Sequence, residues 1–285
     1  MKKQVKQAIG GQAVIEGVMM KSKKKLAIAV RKPNKKIALK KQNLDSRLYR
    51  NIFFRIRFIR GIFILIETMI IGINALSYSA NESIDKKEEK LGKGTIAITI
   101  GVAALLAVGL FIVLPLFLTR LITESNGVLF NLIDGVIRIG MFLAYIGGIS
   151  LMKDVRRLFQ YHGAEHKSVF CYESGKKLTV KNAKKFSCLH PRCGTTFIII
   201  VLVLSILLFS LITSPSWVAK LLIRLAFLPI IAGLSYEFIR WGSKHYNNPV
   251  VKVLIAPGLA MQLLTTREPD NKQIEVAIKA LKAVC

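Results

Sequence analysis

Tyr161-His162-Gly163-Ala164-Glu165-His166 and His190-Pro191-Arg192-Cys193 place three of the chain's four histidines, with a thiol, between long apolar stretches. On a helix, His162 and His166 share one face at about 6 Å, so two imidazoles can grip one ion. Glu165 sits beside them as a ligand, an orienter or a general base. His-x-x-Glu-His is also the order of the inverted zinc-protease signature. His190 and Cys193, three apart, can bring an imidazole and a thiolate to the same ion. Three protein ligands leave a position open for water and four close the site, and the sequence leaves that count open. Imidazole with thiolate favours Zn2+, which is the preferred reading; without Cys193 the His and Glu set also accepts Mn2+ or Fe2+. Two plainer alternatives stand beside this one: the paired histidines serve only as hydrogen-bonding groups, and His190–Cys193 is only a turn that starts a span.

Three acids in apolar surroundings, Glu16, Glu67 and Glu237, are candidates for a second layer around the histidines. Each can equally pair with an arginine. Burial would raise their pKa values and a cation would lower them. Asp134 and Arg138, four apart inside an apolar stretch, have the spacing of a helical ion pair and read as structural. Cys171 and Cys188 read as small buried hydrophobes, and Cys285 and His245 as residues without a role in a site.

The elements that hold these residues must belong to a membrane. The chain is 52% hydrophobic yet carries a net charge of +27 over 285 residues, too apolar for an ordinary soluble domain and too basic for one wholly in lipid. Met1–Gln7 is lysine-bearing but no apolar core of signal-peptide type follows it, so the N-terminus is expected to stay. Residues 1–50 form a basic β-hairpin or meander about the turn Lys32-Pro33-Asn34-Lys35. Within 51–94 an apolar segment from Ile52 to Ala80 carries Arg55, Arg57, Arg60 and Glu67. Arg60, Glu67 and Asn74, spaced by seven, fall within about 20° of one another per step on a helix and draw one polar stripe.

Residues 95–151 hold two stretches of roughly 20 apolar residues, enough for a transmembrane hairpin, and 195–240 hold a second, at about 195–213 and 217–239. The connectors 123–127 and 213–216 lack lysine, whereas 152–194 is rich in lysine and arginine, so the metal-motif loop is expected in the cytoplasm. The loop 81–94 is then cytoplasmic too, and 52–80 begins and ends on one side as a re-entrant or interfacial helix, the alternative being a fifth span. Residues 241–285 remain cytoplasmic, with an interfacial stretch at 250–264 and an amphipathic helix at 271–284. The fold class is therefore mainly α, an integral multi-pass protein of the bacterial cytoplasmic membrane with both termini inside.

Gly10–Met20, Tyr161–Lys167, His190–Thr195, Ala256–Gln262 and Thr265–Asp270 together resemble the YqhQ family of bacterial membrane proteins, over nearly the whole chain. That family is catalogued as a domain of unknown function and commonly labelled a predicted metal-dependent enzyme. The resemblance implies a site drawn from Glu16, His162, Glu165, His166, His190 and Cys193.

Two functions follow as expectations. One is a membrane-embedded zinc enzyme of hydrolase type, in which Glu165 is the base and the substrate enters from the membrane surface. The other is a non-catalytic membrane factor with a structural histidine cluster, whose basic face, densest at 21–41, binds anionic lipid headgroups, ribosomal RNA or the protein-insertion machinery.

Overall fold

The structure, a computed structural model, describes residues 9–44, 57–84, 92–124, 127–211, 216–245 and 248–285. Met1–Gln7, Ile52, Arg55 and part of each connector assigned above lie outside the described residues.

The N-terminal segment is an antiparallel meander, β1 (Gly10–Val14), β2 (Gly17–Lys21), β3 (Lys25–Arg31) and β4 (Ile37–Asn43), in that spatial order. Successive side chains of a strand point to opposite faces, and here both faces are covered. Val18, Met20, Ala27 and Ala29 pack on one side with Tyr161, Ala164, Ile274 and Ala277. Val14, Met19, Leu26, Ile28 and Val30 pack on the other with Ala75. The turns follow their residues: Lys35, after Pro33-Asn34, has φ 65°, and its N–H donates to the Lys32 carbonyl at 2.9 Å. Between β1 and β2, Glu16 has φ 52°, and Gly17 lets β2 close on β3, since a Cβ there would sit 2.1 Å from the Ala29 oxygen.

Helices α5 (Lys153–Glu173) and α10 (Asn271–Lys282) hold the first face of the sheet. α10 starts with a reciprocal cap in which Asp270 accepts from the Gln273 N–H and Gln273 accepts from the Asp270 N–H, satisfying donors the helix itself leaves unpaired. The Arg31 guanidinium reaches Glu275 at 2.7 Å and the Lys272 carbonyl at 2.8 Å, fixing the sheet to it.

Among the described residues, four helical stretches are long and apolar enough to cross a membrane: Arg60–Ser83 in α1 (Arg57–Ser83), Gly94–Ile122 across α2 (Lys93–Val108) and α3 (Leu114–Ile122), Val128–Ile149 forming α4, and Trp217–Gly242 in α8 (Trp217–Lys244). A π turn at Gly109–Val113 joins α2 to α3 just before Pro115, where the missing proline N–H would break a regular ladder. A short α6 (Val180–Ala183) follows α5. α7 (Gly194–Phe209) and α9 (Pro249–Thr265) are shorter. α7 ends at Phe209, before the 213 expected for a full span; its 16 residues rise only about 24 Å.

α1 is one unbroken helix. Its two ends are engaged differently: the Arg60 guanidinium holds Glu237 of α8 at 2.8 and 2.6 Å, while Glu67 pairs with Lys21 at 3.1 Å and Ala75 enters the core of the sheet. The polar stripe thus gives Arg60 to α8 and Glu67 to β2, and Asn74 is exposed.

α9 crosses α7 at Gly258, where a Cβ would lie 2.8 Å from Thr196 Cα and 2.5 Å from its Cγ2. Gly258→Val is expected to lower stability by about 1–3 kcal/mol through overpacking, read as an earlier thermal unfolding transition of the detergent-solubilised protein; an unchanged transition would refute that close crossing.

Candidate metal centre

α5 is long enough to carry both histidines of the His-x-x-Glu-His run on its inner face, with Tyr161, Ala164 and Val169 anchoring that helix in the core. His162 donates from Nδ1 to the Thr265 carbonyl at 2.8 Å. His166 donates from Nδ1 to the Cys188 carbonyl. A carbonyl oxygen can only accept, so each ring keeps its proton on Nδ1 and presents a bare Nε2. His162 Nε2 lies 3.1 Å from Cys193 Sγ, and one ligand atom from each of His162, His166 and Cys193 falls within 4.8 Å of the others. A tetrahedral zinc with bonds of about 2.0–2.3 Å needs donors spaced by roughly 3.3–3.8 Å. The donor separations, 3.1 Å for His162 to Cys193 and at most 4.8 Å across the set, bracket that spacing, and the backbone acceptors behind the imidazoles are the usual support of ligating histidines.

Cys193 caps α7, its sulfur accepting from the Thr195 N–H at 3.4 Å and lying 3.2 Å from the Thr195 hydroxyl. The loop that presents His190 and Cys193 is tied to α9: Gln262 accepts the His190 N–H at 2.8 Å and donates to the His190 carbonyl at 2.9 Å. Lys167, 4% exposed, fastens the same loop through the Lys184 and Phe186 carbonyls and Glu268. Gly163 admits the chain after α9, since a Cβ there would lie 2.2 Å from the Arg267 oxygen. That approach is what lets Thr265 reach His162.

A cavity of about 250 Å3 opens on these groups, lined by Ile9, Gly10, Gly11, His162, Glu165, His166, Val169, His190, Arg192, Cys193 and Gly194. Glu165 is 6% exposed, with one carboxylate oxygen 3.4 Å from His166 Nε2 and its stem against Gly11, whose Cβ would lie 2.6 Å from Glu165 Cγ. Burial raises the Glu165 carboxyl above the ordinary range, against the opposing pull of His162 and His190. Burial likewise lowers the His166 and His190 imidazoles.

His190 lines the cavity, its ring centroid 5.6 Å from that of His166, but its nitrogens are engaged elsewhere. Nδ1 accepts from the Arg192 N–H at 3.2 Å and Nε2 faces Glu173 at 3.4 Å. The structure therefore groups His162, His166 and Cys193 as donors and sets His190 in the wall. The three acids proposed for a second layer lie in ion pairs: Glu16 with Arg157, also accepting from the Tyr161 hydroxyl at 3.3 Å, Glu67 with Lys21, and Glu237 with Arg60. Cys171 is buried in the core. The Cys188 thiol, pushed up to about 12 by burial and by its hydrogen bond with Glu268, is held as a thiol, a poor metal ligand. His245 is exposed and bonded to the Trp241 carbonyl. Thr265 acts through its backbone carbonyl, Gln262 through its side-chain amide and Gly11 through packing, and none of them is among the grouped donors; the runs Gly10–Met20, Ala256–Gln262 and Thr265–Asp270 contain all three.

Residues 56–285 match the family described as "Protein of unknown function (DUF1385)". The chain is also 34% identical over 296 residues to a protein of Bacillus subtilis (strain 168) described as "Uncharacterized protein YqhQ", covering 98% of this chain and 92% of that one. No solved structure matches.

Elemental analysis of the purified full-length protein should find about one zinc per chain, with metal content falling at least tenfold in His162→Ala, His166→Ala and Cys193→Ser. In the cobalt-substituted protein, Cys193→Ser should abolish the sulfur-to-cobalt absorption, whereas His190→Gln should leave it. Cobalt bound without that band in the unaltered protein, and lost in His190→Gln, would give the thiol's place to the imidazole.

Proposed function

The chain belongs to the DUF1385 family, and we propose that it is a membrane-embedded, metal-dependent enzyme of hydrolase type working at the cytoplasmic membrane surface. The observation that carries this is the convergence of two bare Nε2 atoms and a cysteine sulfur on a cavity that also holds a buried carboxyl. Zinc held by His162, His166 and Cys193 would supply Lewis acidity and lower the pKa of a water toward about 7. Glu165, whose carboxyl burial raises above the ordinary range, would serve as the base that accepts a proton from such a water and returns it to the leaving group. Thr265 and the Cys188 carbonyl hold the imidazole tautomers, and Gly11 leaves Glu165 its place. Mn2+ or Fe2+ would be alternatives if the sulfur were not used.

The topology that suits this reading has two hairpins, α2–α3 with α4 and α7 with α8, both termini in the cytoplasm, and α1 lying at the interface. The contacts of α1 with the sheet from Glu67 onward support that last placement. The substrate then enters from the membrane surface, as a lipid headgroup or a juxtamembrane peptide.

A second reading, a non-catalytic factor, draws on the edge strand β4, whose Lys40 and Lys41 are exposed. Such a face would bind ribosomal RNA, the insertion machinery or anionic headgroups, although edge lysines also discourage strand pairing.

In proteoliposomes, turnover of fluorogenic juxtamembrane peptides or of labelled phospholipid headgroups should require the metal. Glu165→Gln should keep the metal and lose about 10²–10⁴-fold in rate. Metal-free protein as active as the loaded form would sink the enzyme; co-purification with ribosomes that weakens steeply with salt would favour the factor.

A further inference from the structure

β1 is an edge strand: the sheet runs β1-β2-β3-β4, so β1 pairs on one side with β2 and, among the described residues, with no strand on the other. The two-residue turn Ile15-Glu16 makes Val14 and Gly17 a hydrogen-bonded pair, and alternation along the ladder makes Gln12 with Met19 and Gly10 with Lys21 the next two. Gly11 and Ala13 therefore aim their N–H and C=O groups outward. The next outward donor, the Ile15 N–H, is taken by the Ser79 hydroxyl of α1 at 3.2 Å. Among the described residues, nothing takes those of Gly11 and Ala13.

The two edges of the sheet are built differently. β4, at the far edge, carries exposed Lys40 and Lys41, charges that discourage a further strand. β1 reads Gly10-Gly11-Gln12-Ala13-Val14, without charge or proline, and Gly10 and Gly11 are exposed. This open edge runs into the cavity of the metal centre, whose wall includes Ile9, Gly10 and Gly11 together with His162, Glu165 and Cys193. A Cβ on Gly11 would lie 2.6 Å from Glu165 Cγ, so a chain paired with Gly11 passes next to that carboxyl. Outward donors and acceptors repeating every second residue, about 6.8 Å apart, are the complement of an extended main chain. A phosphate headgroup, which only accepts, would leave the Gly11 and Ala13 carbonyls unmatched.

We propose that the substrate is an extended peptide segment that adds a fifth strand to the sheet along β1, hydrogen-bonding to Gly11 and Ala13 and carrying its main chain past Glu165. Its cleavage rests on the hydrolase reading above, whereas the strand pairing does not.

The test incubates zinc-loaded full-length protein, unaltered and as Glu165→Gln, with a library of random octapeptides carrying one photoreactive residue, and maps the crosslinks by mass spectrometry. Crosslinks should fall on β1 and on the residues lining the cavity. Their yield should drop at least tenfold when the library is N-methylated at its backbone amides, which removes its donors. It should drop as far in Ala13→Pro, which removes an outward donor at a place where an edge strand accepts proline. Crosslinks that avoid β1, or a yield unchanged by N-methylation or by Ala13→Pro, would overturn the pairing. Should Ala13→Pro not fold, the N-methylated library on the unaltered protein decides by itself. Crosslinks at β1 without turnover of any peptide would support the pairing and count against the hydrolase. Turnover of labelled phospholipid headgroups, undiminished in Ala13→Pro, would keep the hydrolase and overturn the peptide.

Discussion

Two hydrogen bonds from imidazole to backbone set the terms for the rest of the molecule. Because the Thr265 and Cys188 carbonyls take the Nδ1 protons of His162 and His166, both rings turn their unprotonated nitrogens toward the Cys193 sulfur. Neither carbonyl is near α5 in sequence. One ends α9 and the other lies in the loop after α6, so the fold must bring two remote main-chain segments to one helix. Much of the structure around α5 serves that requirement. Gly163 removes the side chain that would hold Arg267 away, Gln262 brackets the His190 backbone like a strand partner, and Lys167 fastens the loop that carries Cys188.

The same helix has its back to the sheet. Tyr161 and Ala164 sit in the core shared by β2, β3 and α10, while His162, Glu165 and His166 point into the cavity. Period 3.6 divides one helix into a packing face and a chemical face. The charged residues around it are mostly consumed in joining elements: Glu16 to α5, Glu67 to α1 and β2, Glu237 to α1 and α8. Such partly exposed pairs contribute modestly to stability and more to register.

Much of this is legible from the residues alone, and the gaps have identifiable causes. The i, i+4 histidines announce one helical face, and Pro33-Asn34 announces a turn, because both signals are local. The covering of the sheet on both faces is not legible, since the partner of Val14, Met19 and Ile28 is Ala75, 47 to 61 residues further along the chain. His190 shows the limit most clearly. Its residue type and nearness to Cys193 suggest a ligand, yet the Arg192 N–H and Glu173 occupy its nitrogens, and no spacing rule encodes that. Glu16, Glu67 and Glu237 could equally have met a cavity or a cation. Tertiary geometry gave each a cation. The length of α7 is a similar case: hydropathy continues past Phe209, where the helix ends and where the guanidiniums of Arg138 on α4 and Arg224 on α8 lie over the Phe209 ring.

The sheet is closed by the far end of the chain. Lys25 donates to the Cys285 carbonyl at 3.0 Å, Arg31 reaches Glu275, and Ile274, Ala277 and Leu281 fill the face of β2 and β3. The sheet, α5 and α10 thus make one small domain whose parts are separated along the chain by the long apolar helices. During biosynthesis the strands must wait, incompletely covered, until α10 emerges from the ribosome, and His162 gains its carbonyl acceptor only after Thr265 at the end of α9 exists. Closure of this domain therefore follows the synthesis of α2 to α9, which couples it to correct threading of everything between.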